Sequence, residues 1–138
     1  MDVALGVRVF GNVPDVRPYI ASASVYVVPL RIGSGVKVKI IEALAMGKAI
    51  VATPIAAEGM GLKDDHDLNI MELGDEFVDA VVRLFKDEGQ RSRLEANARE
   101  TAVRLFSFAT GSLELDAIYR QLAEISSKRQ NTIIKKRL

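Results

Sequence analysis

PLRIGSGVKVKIIEALAMGKAIVAT, residues 29–53, reads as the end of one buried strand, a glycine loop, a helix and a second buried strand. The β-branched run Val25-Tyr26-Val27-Val28 stops at Pro29, which has no N–H to give to a ladder. Gly33-Ser34-Gly35 permits a sharp turn and a close approach to the backbone. A helix over residues 36–46 closes at Gly47, a C-terminal stop signal, and a strand over residues 49–53 ends at Pro54. Strand, glycine loop, helix, strand is the unit that holds phosphates in open parallel sheets, because free amides at the helix N-terminus face the ligand.

Glu42 is out of place in Ile40-Ile41-Glu42-Ala43-Leu44-Ala45, where nearly every neighbour is apolar. A helix apolar on most sides is covered on most sides, so a carboxylate there needs a partner or a ligand. Helical spacing puts Gly35, Val38 or Lys39, and Glu42 on one face. Amides at one end of that face suit a diphosphate, and the carboxylate suits the hydroxyls of a ribose. The alternative is that Glu42 simply lies on a narrow solvent stripe.

The same residues resemble the donor-site segment of the group 1 (family four) retaining glycosyltransferases, whose GT-B fold sets two Rossmann-like domains across a cleft. That family's pattern is a Glu, seven residues and a second Glu, followed by Ala, a hydrophobic pair, Gly and a Pro-Val-Val-like strand. The match here is Glu42-Ala43-Leu44-Ala45-Met46-Gly47 and Ala49-Ile50-Val51-Ala52-Thr53. The position of the first Glu holds Ser34. A branch of the family with Pro-Leu-Arg, a Gly-Ser-Gly-like loop and a Lys three before the Glu is closer, matching Arg31, Gly33-Ser34-Gly35 and Lys39. Val9-Phe10-Gly11-Asn12-Val13-Pro14-Asp15, with Tyr19 and Ala23 after it, is similar to the stretch ahead of the donor loop.

The resemblance implies a nucleotide-sugar donor. Glu42 would bind its ribose hydroxyls, and the amides of Gly35, Val36 and Lys37 would lie near the diphosphate and the transferred sugar. Lys37 or Lys39 would answer the charge of the leaving diphosphate. Arg31 and Gly33 belong to the same loop, and the turn at Val13 would border the base. Ser34 leaves recognition of the donor sugar open. The implied reaction is transfer of a hexosyl group to a sugar, lipid or polysaccharide acceptor, as in polysaccharide biosynthesis. No nucleophile or general base can be named in this chain.

The expected fold class is therefore α/β: a Rossmann-like parallel sheet with flanking helices, an incomplete C-terminal half of a GT-B enzyme, with a helical C-terminus. With 138 residues the chain is one domain by size. The hydrophobic fraction of 49% and charged fraction of 27% belong to a soluble globular chain. No apolar run reaches the length of a membrane span, and the start does not read as a signal peptide. Zero cysteines exclude disulfides and thiolate metal sites and fit a cytoplasmic location. Lys128, Arg129, Lys135, Lys136 and Arg137 form a basic tail, residues 128–138, which leaves residues 1–127 with a formal net charge of −4 out of a total of +1. That tail is either a solvated helix end or disordered tail, or a contact to anionic lipid at the cytoplasmic membrane face. The body has no basic surface with interleaved aromatics, so no nucleic-acid partner is expected.

Along the rest of the chain, residues 7–10 read as a short strand ended by Gly11-Asn12, and Asp15 as the cap of a short helix running to about Ala23. After Pro54 comes a loop of small residues, 55–61, in which Glu58 either faces a donor sugar or is a solvated acid. Asp64-Asp65-His66-Asp67 cannot all converge on one ion from consecutive positions, so no metal is assigned and no cofactor beyond the substrate nucleotide-sugar is expected. Residues 68–73 read as an edge strand. A helix capped by Asp75 follows, with Phe77, Val81, Leu84 and Phe85 at helical spacing, then a second helix after Gly89 and a third after Ser107-Phe108. Leu115, Ile118, Leu122 and Ile125 are spaced as a heptad seam. No internal repeat or low-complexity segment is evident.

Compared with the family, residues 1–6 are too few for the two strands that precede the one at Val7, and nothing supplies an acceptor domain. The sheet is expected to be repaired by direct pairing of the strands at Val7 and Val25, or by a second copy in a homodimer. A nicotinamide-type Rossmann fingerprint fails because Val38 stands where its third Gly would be, and no Walker Lys-Ser/Thr pair follows the loop. The remaining rival is a non-catalytic nucleotide-sugar-binding or assembly module, in which the terminal helix docks on a partner.

Overall fold

The computed structural model describes residues 6–135, with side chains to residue 125. Three parallel strands, β1 (Tyr26–Val28), β2 (Ile50–Ala52) and β3 (Asn69–Ile70), lie in the order β1-β2-β3, with Val27 opposite Val51 and Ala52 opposite Ile70. Successive residues of a strand point to opposite faces, and β2 is buried on both. Ile50 and Ala52 pack with Ile40 and Leu44 of α2 (Val38–Ala45) and with Ala98 of α5 (Glu88–Phe106). Val51 packs on the other side with Phe77 and Leu84 of α4 (Asp75–Lys86) and with Leu94. Each fully buried Leu among these contributes about 2 kcal/mol of transfer free energy. The expected parallel sheet with helices on both faces is what forms.

The helix ends show which local signals decide. After α2 the Lys48 N–H reaches Ala43 O (3.0 Å) and the Gly47 N–H reaches Leu44 O (2.9 Å), with Gly47 at φ +63. That is a Schellman stop, where the left-handed residue is almost always Gly. Arg99 of α5 also donates to Ala45 O, satisfying another terminal carbonyl. Two expected boundaries move. The break between α4 and α5 falls at Asp87, whose carboxylate accepts from Gln90 N–H (2.8 Å), so Gly89 lies inside α5. Gly74 takes the cap position ahead of α4, and Asp75 is a first-turn acid facing the positive end of the dipole. In α1 (Arg17–Ser22) the cap position is Val16, and Asp15 instead accepts from the Arg17 N–H at 2.9 Å and pairs with its guanidinium.

Residues 7–10 do not form the expected strand, and they do not pair with β1. A strand is stable only where a neighbouring ladder takes its N–H and C=O groups; among the described residues β1 pairs with β2 alone and its other edge stays open. Phe10 instead lies tilted against Tyr19, ring centroids 4.8 Å apart. β3 keeps two residues of the six expected, at the sheet edge as foreseen. Residues 54–57, expected as loop, form the short helix α3 (Pro54–Ala57), with Pro in its first turn.

The acidic turn has structural work. Asp67 is fully buried and accepts from Thr101 Oγ1 (2.6 Å) and from the Lys63 N–H (2.8 Å), while His66 Nδ1 lies 2.9 Å from it. Asp65 pairs with Arg93 and Asp64 accepts from the Ile70 N–H, so the turn is stitched to α5 and β3. The last helix, α6 (Phe108–Lys135), runs through residues 127 and 128 without a break. Leu115, Ile118, Leu122 and Ile125 are each 52–55% exposed. The side chains of residues 128–135 and all of residues 136–138, which carry the basic tail, lie outside the described residues.

Candidate functional site

The conformation of α2's first residues divides the expected site. Gly33 and Gly35 take φ of +153 and +76, which turns the loop back on itself. Lys37 holds the cap position at φ −92, ψ 78, outside helical geometry. Its side chain folds back beneath the loop, 6% exposed, and Nζ donates to Gly35 O at 2.8 Å. A Cβ on Gly33 would stand 3.8 Å from Lys37 Cε, so the lysine packs against that glycine. No carboxylate pairs with this ammonium among the described residues.

Two separate cavities are lined by α2 and by the loop that leads into it. One, of about 490 Å³, is lined by Lys39 and Glu42 from α2, Val13, Tyr19 from α1, and Tyr26 and Val27 from β1. Its walls are mostly apolar, and Glu42 is exposed within it. Burial first, and then the Glu42 charge, raise the Tyr26 phenol above its ordinary value of 10. The other cavity, of about 360 Å³, is lined by Ser34, Gly35, Val36, Lys37, Glu58 and Met60. Both volumes fall within the range of about 300–1,000 Å³ common for small-ligand sites.

Of the residues singled out in the sequence, Glu42, Lys39 and Val13 come together in the larger cavity. Ser34, Gly35, Val36 and Lys37 come together in the smaller one, with Gly33 packed behind them. Arg31 goes to neither: it lines a third hollow with Thr53 and Glu72, where Thr53 Oγ1 donates to Leu30 O at 2.7 Å. Gly35 and Glu42 therefore do not share a cavity, because the backbone leaves helical geometry at Lys37. Tyr26 was missed. Its signal was a polar-tipped aromatic at the start of an otherwise aliphatic strand.

Residues 2–87 match the family described as Glycosyl transferases group 1. The chain belongs to that family. The phosphatidyl-myo-inositol mannosyltransferase of Mycobacterium leprae (strain TN) is 30% identical over 128 residues, covering 90% of this chain and 34% of that one. A glycosyltransferase from Rickettsia africae ESF-5 superimposes with a TM-score of 0.72 at 20% identity, over 86% of this chain and 32% of that one. A sucrose-phosphate synthase from Thermosynechococcus elongatus gives 0.65 at 25% identity, over 80% and 28%. This glycosyl transferase chain thus spans about a third of the length of the relatives it matches, and its fold is that of a GT-B half. No helix among its described residues is long and apolar enough to cross a membrane.

Proposed function

We propose that the chain is the nucleotide-sugar-binding half of a retaining glycosyltransferase that moves a hexosyl group to a sugar, lipid or polysaccharide acceptor. The observation that carries this is that the loop ahead of α2 and α2 itself each line a cavity, one with the amides of residues 35–37 and Lys37, the other with Glu42, Lys39 and two tyrosines. A nucleotide-sugar has the same division: an aromatic base and ribose at one end, a charged diphosphate and a polyhydroxyl ring at the other. Glu42 accepts from the ribose hydroxyls, and Val13 and the aromatic Tyr19 border the base. The amides of residues 35–37 and the Lys37 ammonium take the diphosphate, so its charge is answered by donors already in place when the sugar leaves. Lys39 adds positive charge beside Glu42. No metal or further cofactor is assigned a role.

The acceptor side would come from an N-terminal domain or from a second copy of the chain. The relative's name joins a mannosyl group to a phosphatidyl-inositol acceptor, which supports a hexosyl donor and a lipid acceptor. Alone, the chain binds donor and transfers nothing. The exposed seam of Leu115, Ile118, Leu122 and Ile125 favours a second reading, a non-catalytic assembly module in which α6 docks on a partner. Calorimetric titration with UDP-glucose, GDP-mannose and ADP-glucose separates the two. Saturable binding of one of them, lost in Glu42→Ala, supports the donor site; a folded chain that binds none supports the module.

A further inference from the structure

Ser34 occupies the position from which this family's pattern would send a carboxylate towards the donor, and a serine hydroxyl is short and uncharged. The cavity that Ser34 lines has a carboxylate from elsewhere in the chain: Glu58, on the loop after α3, stands at its border with Gly35, Val36 and Lys37, and also borders a shallower hollow with Pro54 and Ile55.

The loop that carries Glu58 is pinned on both sides. Ala56, Ala57 and Met60 are buried in the core, and the Met60 N–H reaches Ala57 O at 3.3 Å. Gly59 and Gly61, at φ +73 and +66, make the turns that let Met60 point inward while Glu58 stays at the mouth. Glu58 makes no hydrogen bond and no ion pair among the described residues, so both oxygens are open to a ligand.

The charges of the cavity sort its contents. Lys37 and the amide turn attract an anionic group to one wall, and Glu58 repels an anion from the other. A carboxylate accepts from two neighbouring hydroxyls at once and has no donor of its own. We propose that Glu58 reads the hydroxyls of the transferred sugar, in place of the carboxylate missing at position 34, and so makes this site select a nucleotide carrying a free polyhydroxyl ring over the bare nucleotide. This rests on the nucleotide-sugar function proposed above and adds to it the residue that discriminates the sugar.

The test is a calorimetric comparison of UDP, GDP and ADP with UDP-glucose, GDP-mannose and ADP-glucose, on the full chain and on Glu58→Gln. Glu58 is exposed, so the variant folds as the parent does. Affinity for the sugar nucleotide falls about tenfold in Glu58→Gln, from the lost charge-assisted bonds. Affinity for the matching bare nucleotide stays level or rises, because a repulsive charge has gone. An unchanged affinity for the sugar nucleotide overturns the inference while leaving the nucleotide-sugar function standing, and so does an equal fall for both ligands. A parent chain that binds none of the six overturns the inference and the function together.

Discussion

Lys37 and Glu42 stand about one and a half turns apart at the start of α2, yet their side chains open onto different cavities. The cause is local. Lys37 sits one residue before the helix proper and folds under Gly33, whereas Glu42 projects from a regular turn together with Lys39. A ligand that meets both must reach into two cavities, which the proposed nucleotide-sugar would do only in an extended form.

The first consequence concerns the ribose. If the Glu42 carboxylate accepts from the ribose hydroxyls, a 2′,3′-dideoxynucleotide loses that interaction in the parent chain and binds about tenfold more weakly than the ribonucleotide. In Glu42→Ala the two nucleotides bind alike, because the group that distinguished them is gone. Competitive titration of both ligands against both chains completes the cycle. A preference for the ribonucleotide that survives in Glu42→Ala places the ribose elsewhere.

Lys37 gives a prediction in which stability and binding part company. The residue is 6% exposed and its ammonium has one carbonyl as partner, an arrangement that costs desolvation without an ion pair to offset it. Lys37→Met keeps the stem that packs beneath Gly33 and removes the charge. The variant is expected to be as stable as the parent or more so by about 1 kcal/mol in urea denaturation, with affinity for nucleoside diphosphates down at least about tenfold. A variant that unfolds early and still binds would make Lys37 a structural residue only.

Much of this was legible in the sequence, for reasons that differ from residue to residue. Gly47 and Pro54 act through their own backbone chemistry, so the stop of α2 and the end of β2 could be read directly. The strand expected at residues 7–10 failed because pairing belongs to two segments, and β1, the partner proposed for it, pairs only with β2 among the described residues. The roles of Asp64, Asp65 and Asp67 were hidden for a related reason: their partners Ile70, Arg93 and Thr101 approach through the fold of the chain. The division of the site into two cavities was hidden too. Helical spacing cannot show that the residue before the helix turns its side chain back under the loop.

Gly47 offers a direct check on the local reading. A Cβ there would stand 3.5 Å from Glu95 O and 3.8 Å from Arg99 Cβ, ordinary contact distances, so the cost of Gly47→Ala comes from φ +63. A non-glycine residue in that region loses about 1–2 kcal/mol. Urea denaturation should show that loss with nucleotide affinity unchanged, since Gly47 lies at the far end of α2 from the glycine turn. A stability equal to the parent's would mean that the Schellman turn is dispensable.

Asp67 should govern part of the acid limb of the stability curve. Burial alone would raise its carboxyl, but the bonds from Thr101 Oγ1, His66 and the Lys63 N–H outweigh burial and hold it below its ordinary value of 3.8. An acid lowered in this way adds stability at every pH above its unfolded value, and that contribution is lost as the pH falls through the lower, folded value. Asp67→Asn keeps the shape but not the charge, and it leaves the Thr101 hydroxyl and the Lys63 N–H with a poorer acceptor. It is expected to cost about 2 kcal/mol at pH 7. The parent and variant curves should run parallel down to about pH 5 and draw together below pH 3.8, because only the parent has ionisation left to lose. Chemical denaturation at pH 7, 5, 4 and 3 measures the gap; one that is constant to pH 3 would mean that the buried carboxylate is not linked to folding.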